Sequence, residues 1–574
     1  MQIASAPIEK LKRVFLPEDF IITDWAGLEP YFTSLTGRPL NSKEELEQWL
    51  RDISELEAVI SEDACWRQIN MTCDTANKKC EDAFTFFCME IEPKIKPFGF
   101  ELNKKLMACP YTQELDKDLY FPYLRNVENA IKLYREANVP LQAEMSLKAQ
   151  QYGAISGAMS IEVDGKEYTM QQAAKMLHSP DRALRETVFR KMAERRLQDK
   201  DKLNTLFNEL VALRQNVAAN AGFDNYRDYK FRELGRFDYT VDDCFAFHAA
   251  VKEHIMPLHA MLTNYRKTKL GLGVMRPWDS DAEPVGIEPL QPFHTGEELS
   301  NKAVEVFGLL RPFFSSCLVT MQQMNRLDLE SRKGKAPGGY NCPLAETGVP
   351  FIFMNAAGTM GDVITMMHEG GHAIHSFLSH NLPLASFKEY PMEIAELASM
   401  SMELFSMEHW DVFFKDNAEL HRARLEELER IISVLPWIAT IDKYQHWIYT
   451  HKGHTNEERE AAWLNILNEF STGITDWSGF DEYRANVWQK QLHLFEVPFY
   501  YIEYGIAQLG AIAMWRQYRQ NPQQALDNYM AALGKGYTKT LNELYATAGI
   551  KFDLSPAYVK ELAGFVQPII MDMI

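Results

Sequence analysis

Val363-Ile364-Thr365-Met366-Met367-His368-Glu369-Gly370-Gly371-His372-Ala373-Ile374-His375-Ser376-Phe377-Leu378 reads as one helix, with Thr359 or Asp362 able to cap its start. Side chains four residues apart share a helix face, so His368 and His372 can reach one point. Glu369, one step round, can lie beside it. Two imidazoles and an adjacent carboxylate in this spacing suit a zinc ion with a base next to its open position. Gly370 and Gly371 each lower helix propensity by about 1 kcal/mol, so another reason for them is expected, such as close approach of a neighbouring backbone.

A catalytic zinc usually takes three protein ligands, and two histidines leave one to be found. Just downstream, Pro391 suits a first helical turn, and the residues after it place Glu393, Glu396 and Glu403 on one face among apolar neighbours. Carboxylates on such a face need partners. One can ligate the ion and another can accept the free ring N–H of a ligating histidine, and the spacing alone does not say which.

Upstream, Val349-Pro350-Phe351-Ile352-Phe353-Met354-Asn355 is short, apolar and introduced by proline, and reads as a strand at a sheet edge. An edge strand there could pair with an extended peptide, so Phe353 and Asn355 are candidate substrate contacts, while a merely buried strand fits the sequence as well. The loop Asp328 to Tyr340 is glycine-rich and basic but lacks the spacing of a phosphate-binding Walker loop. Further upstream, Gly271 to Pro292 holds Pro277, Pro284, Pro289 and Pro292 and interrupts the helical pattern. From Ser42 to about Leu213 the chain reads as successive amphipathic helices. The exception is Ser160 to Thr169, where alternation around Asp164-Gly165 marks a two-residue hairpin.

Towards the other end, Leu492-His493-Leu494-Phe495-Glu496-Val497-Pro498-Phe499-Tyr500-Tyr501-Ile502-Glu503-Tyr504 places a histidine before a tyrosine cluster. A helix begun by Pro498 would project Tyr501 and Tyr504 from one face, with Tyr500 flanking as a third candidate substrate contact. Such groups could donate to an oxyanion.

Taken together, His368-Glu369-Gly370-Gly371-His372-Ala373-Ile374-His375 and Glu396-Leu397-Ala398-Ser399 resemble the oligoendopeptidase F and thimet oligopeptidase family of zinc metallopeptidases. Gly334 to Tyr340 and the segment ending Met354-Asn355 are similar to its oligoendopeptidase F branch. The resemblance implies that Glu396 joins His368 and His372 as metal ligand, that Glu369 is the general base, and that His493, Tyr501 and Tyr504 stabilise the tetrahedral intermediate. It also implies a mainly α fold, a large multi-helix body with a small β element beside an H-E-x-x-H helix in a deep channel that admits short unfolded peptides. His375 belongs to the same pattern, and a hydrogen-bonding or packing role is expected for it. The resemblance covers roughly residues 200 to 574, so residues 201–574 are expected to form the catalytic domain and residues 1–200 an N-terminal helical domain with the hairpin.

The 574-residue length allows two or more packed units or one large helical body. A net charge of -19 would repel nucleic acid and anionic membranes, so neither is an expected partner. Residues 1–7 lack the pattern of a secretion signal, and no apolar run is long enough to span a bilayer, so a cytoplasmic location is expected. Cys65, Cys73, Cys80 and Cys88 recur at the spacing of one helix face and read as buried thiols. His254, His259, His446, His451 and His454 show no partner pattern and read as surface or satisfied core residues. The expected function is a zinc-dependent metalloendopeptidase with one Zn2+ per chain. The alternatives are a metallocarboxypeptidase of related fold or a non-catalytic helical peptide-binding scaffold.

Overall fold

The computed structural model describes Ile8, Lys10 and residues 12–574; residues 1–7, expected from their sequence to carry no secretion signal, lie outside the described residues. The protein is mainly helical, with a two-stranded and a three-stranded sheet among the described residues. It forms two compact units, each assembled from separated stretches of chain. One contains the described residues up to Lys132 with Leu290–Ala423 and Gly510–Phe552; the other contains Leu133–Pro289, Arg424–Leu509 and Asp553–Ile574. These units do not coincide with a single cut near residue 200, because helices distant in sequence share a core within each. The proline-rich zone holds one of the crossings, at Pro289.

In the first unit the long helix Lys43–Cys73 begins at Ser42, whose hydroxyl accepts from the Glu45 amide. Leu46, Trp49, Leu50, Ile53 and Leu56 recur at helical spacing and are buried with Leu28, Phe32 and Leu35. Its last turns carry Trp66 and Ile69 to the three-stranded sheet, where Trp66 packs edge-on against Phe351.

That sheet corrects one expectation. Phe351–Ala356 is its central strand, parallel to Leu327–Glu330 and antiparallel to Tyr340–Cys342. Both backbone edges of the strand are already paired, so it cannot add a peptide strand. Phe353 is 1% exposed and stacks on Tyr340, and its side chain is spent on packing instead of on substrate. The Asn355 amide donates to the carbonyls of Ala336 and Gly338, holding the glycine-rich loop. Two of the loop's basic groups are also engaged, since Arg332 and Lys335 both pair with Asp328.

In the second unit, Ser160–Val163 and Lys166–Thr169 form the expected hairpin, with Asp164 and Gly165 both at positive φ as a tight mirror-image turn requires. The proline-rich zone is pinned down, since buried Asp279 accepts from Arg182 and Arg185. The four spaced cysteines do not share one helix. Cys65 and Cys73 lie on Lys43–Cys73, Cys80 on Lys78–Phe86, and Cys88 in the turn Phe87–Ile91, each half-buried.

The histidine helix spans Met360–Ser379, and its capping is reciprocal. Thr359 Oγ1 accepts from the Asp362 amide, while Asp362 Oδ2 accepts from the Thr359 amide at 2.8 Å. Replacing Thr359 by Ala should cost about 1 kcal/mol at this helix end and speed amide hydrogen exchange at Asp362 and Val363 roughly fivefold. Unchanged exchange there would show that the cap does not hold the helix start.

Candidate active site

The histidine helix and the glutamate helix, Met392–Met407, belong to the same unit. The two glycines let them meet. A Cβ on Gly371 would stand 2.7 Å from the Ala398 carbonyl and from Ser399 Cα, so the expected close approach of backbone is present there. At Gly370 the neighbour is a side chain, with Phe307 Cζ 2.5 Å from where a Cβ would sit. On the strand side, Asn341 Nδ2 donates to the Glu369 carbonyl at 3.3 Å and ties the helix to the sheet.

This contact brings together His368, His372 and Glu396. Glu396 Oε2 lies 3.3 Å from His368 Nε2 and 3.8 Å from His372 Nε2, and the three donor atoms fall within 4.8 Å of one another. Ligands about 2.0–2.1 Å from a tetrahedral zinc stand roughly 3.3 Å apart, so the donor set fits such an ion with little movement. Ser399 Oγ donates to Glu396 Oε2 at 3.1 Å and fixes that carboxylate.

Glu403, two turns along the same face, accepts from His368 Nδ1 at 2.5 Å. That bond leaves Nε2 facing Glu396 and puts Glu403, of the three glutamates that spacing had left open, on the far side of the His368 ring, where it could support a ligating imidazole. Glu393, buried on the same helix, receives the Tyr545 hydroxyl at its backbone carbonyl.

Burial works against charge on His368, but Glu396 and Glu403 outweigh it and raise its pKa well above the usual imidazole value. Burial likewise opposes ionisation of Glu396, and His368 and His372 overcome it to bring the carboxyl down to about 2. His372 is lowered to about 4, chiefly by burial. Glu369 is pushed up to about 7 by burial, with Glu396 and Glu403 adding to the shift. Two carboxylates thus favour positive charge at His368, the kind of charge a divalent cation would supply between them.

His375 packs rather than ligates. It is fully buried, stacked on Tyr390 at 3.4 Å between ring centroids, and neither ring nitrogen has a hydrogen-bond partner among the described residues.

The histidine and tyrosine cluster lies in the other unit. His493 sits on the short helix Leu492–Glu496, and its ring centroid is 4.8 Å from Tyr501, 5.9 Å from Tyr504 and 5.9 Å from Tyr500. All four are half-buried beside fully buried neighbours. The following helix starts at Tyr501, not at Pro498, because Phe499 adopts a left-handed backbone with φ 67°. That strained residue is held at both ends: its amide donates to Gln445 Oε1 at 2.5 Å and its carbonyl accepts from Arg236.

Two supporting residues have no sequence signal. Trp437 Nε1 donates to Gln491 Oε1 at 3.0 Å, which orients the amide so that Gln491 Nε2 donates to His493 Nδ1 at 2.7 Å. The neutral His493 proton is thereby placed on Nε2. Buried Arg214 donates to the carbonyls of Leu494 and Phe495 and to the Tyr449 hydroxyl, anchoring the short helix.

Fold and donor set define the class, a mainly helical scaffold built around an H-E-x-x-H helix. The chain belongs to peptidase family M3, whose sequence profile matches residues 175–564, and it falls in the oligoendopeptidase F branch. The profile of the peptidase M3 N-terminal domain matches residues 15–134. An oligoendopeptidase F homolog of Borreliella burgdorferi is 23% identical over 37% of this chain and 36% of its own length. Oligopeptidase PepF of Bacillus subtilis is 22% identical over 45% of this chain and 38% of its own. These sequence matches thus span little more than a third of either relative. Among solved structures, PZ peptidase A with an inhibitor superposes with a TM-score of 0.89 at 25% identity, covering 97% of this chain and 99% of its own. A putative oligoendopeptidase F superposes with a TM-score of 0.89 at 26% identity, covering 97% and 98%.

Two substitutions probe the geometry. Glu403→Gln, which weakens the hold on His368 Nδ1, should lower zinc affinity about 10- to 100-fold in chelator competition. Gly371→Ala should wedge the two helices apart at a cost of about 1–3 kcal/mol, seen as a lower thermal midpoint, with zinc affinity falling as well.

Proposed function

We propose that this protein is a zinc-dependent endopeptidase that hydrolyses internal bonds of short, unfolded peptides, with one Zn2+ held by His368, His372 and Glu396. The observation that carries this reading is the convergence of Glu396 Oε2 on both imidazole Nε2 atoms, with Glu369 next to the first of them in the chain. A zinc ion there supplies Lewis-acid activation of water and of the scissile carbonyl. Glu369 takes the proton of the attacking water and passes it to the leaving amine. Glu403 holds the His368 ring in the required tautomer.

His493, Tyr501 and Tyr504 are assigned as donors to the developing oxyanion, on the family resemblance and on their own clustering. Burial raises the Tyr501 phenol to about 12, which keeps it a donor at neutral pH, and Gln491 sets the His493 proton on Nε2. Tyr500 is retained as a substrate contact beside Tyr504. Every residue of this assignment lies beyond position 200, so residues 201–574 are proposed as the catalytic part and residues 1–200 as the accessory part. All eight cysteines are free and no described helix is long and apolar enough to cross a membrane; the free thiols favour a reducing compartment such as the cytoplasm.

An internally quenched peptide blocked at both ends separates the readings. Cleavage is expected, whereas a carboxypeptidase would leave it intact and a scaffold would cleave nothing. Glu369→Gln should keep its zinc and lose turnover; normal activity in that variant removes the assigned base. Tyr501→Phe and Tyr504→Phe should each lower kcat by roughly 10²-fold or more with KM little changed, and wild-type kcat in both would remove the oxyanion assignment.

A further inference from the structure

Away from the H-E-x-x-H helix, the second unit holds another set of metal-binding side chains. Cys244 and His248 stand four apart on the helix Val241–Ala250, and Asp442 and His446 stand four apart on the helix Asn417–Thr450. Each pair therefore presents two donors from one face, and the two faces meet. One donor atom from each of Cys244, Asp442 and His446 lies within 4.8 Å of the others, and all three residues are buried. Asp442 Oδ2 receives His446 Nε2 at 3.2 Å and His248 Nε2 at 2.9 Å.

Asp442 is 0% exposed, and ring nitrogens of His248 and His446 supply hydrogen bonds to its Oδ2. Its Oδ1 atom and the Nδ1 atoms of both histidines are buried with no hydrogen-bond partner among the described residues. Unmatched polar atoms in such number are costly, and a buried carboxylate needs a compensating positive charge. The surroundings are apolar: the rings of Phe245, Phe499 and Phe231 stand 4.9, 5.3 and 5.8 Å from that of His446.

We propose that Cys244, Asp442 and His446 form a second, structural site for a zinc-type divalent ion, with His248 donating to the coordinating carboxylate. Thiolate, carboxylate and neutral imidazole are ligands that zinc accepts together. One thiolate and one carboxylate balance the two positive charges of the ion, so the occupied site is neutral inside the core. Outer support of a ligand by His248 parallels that of His368 by Glu403. The ion would fasten the helix Val241–Ala250 to the helix Asn417–Thr450. It would contribute to stability, and peptide hydrolysis would not pass through it.

Cobalt distinguishes the two sites, because only the proposed one supplies a thiolate. Full-length protein produced with Co2+ in place of zinc should contain two metal ions per chain and show thiolate-to-cobalt charge-transfer absorption in the near ultraviolet. His372→Ala, which dismantles the other site, should keep one ion and the absorption. Cys244→Ser should lose the absorption and one ion. The wild-type measurement stands even if a variant folds poorly. One ion per chain without the absorption overturns the proposal and leaves Asp442 with its two histidine hydrogen bonds alone, and absorption that persists in Cys244→Ser overturns it equally. Failure of the Glu369 assignment would change none of these readouts.

Discussion

Close contact between two helices is the constraint on which the rest depends. Gly371 puts the backbone of the histidine helix against Ala398 and Ser399 of the glutamate helix, at a distance where a single methyl group would not fit. At that separation a glutamate side chain can reach two imidazoles on the neighbouring helix; a wider crossing would leave it short. The propensity lost at two adjacent glycines is thus exchanged for a three-sided cluster of donors.

Such a cluster concentrates charge in a poorly solvated place. Glu369, Glu396 and Glu403 are all nearly inaccessible, and His368 stands against both Glu396 and Glu403. The histidines hold the Glu396 carboxyl low, Glu396 and Glu403 pull the His368 imidazole up, and burial pushes Glu369 up to about 7. A cation satisfies the same demand more fully, since it neutralises two carboxylates without requiring a charged ring. The buried Asp442 cluster in the other unit poses the same problem with a different set of side chains.

In the second unit a strained backbone sets the register of the histidine and tyrosine cluster. The left-handed Phe499 ends one short helix and lets the next begin at Tyr501, and Gln445 and Arg236 hold it there. Gln491 and Arg214 then orient His493 and the helix that carries it. Gln445, Arg236 and Arg214 lie dozens to hundreds of positions away in the chain, and Gln491, although adjacent, is oriented by the distant Trp437, which is why nothing near the tyrosines announces these supports.

Short-range pattern was enough to read the helix through His368 and His372, a cap at Thr359 or Asp362, the Asp164-Gly165 hairpin and the mainly α architecture, because each depends on contacts within a few residues. The glycine pair could also be read as a point of close approach. Tertiary structure alone decided that Glu403 serves His368, that Phe353 is enclosed in a central strand, that Asn355 braces a loop, and that compact units are stitched from separated stretches. It also turned His446, which looked like an ordinary core or surface histidine, into part of a buried donor set with Cys244. The reason is physical: helical and hairpin geometry is set by bonds between near neighbours, whereas strand order, burial and the partner of a charged group depend on which distant surfaces pack together.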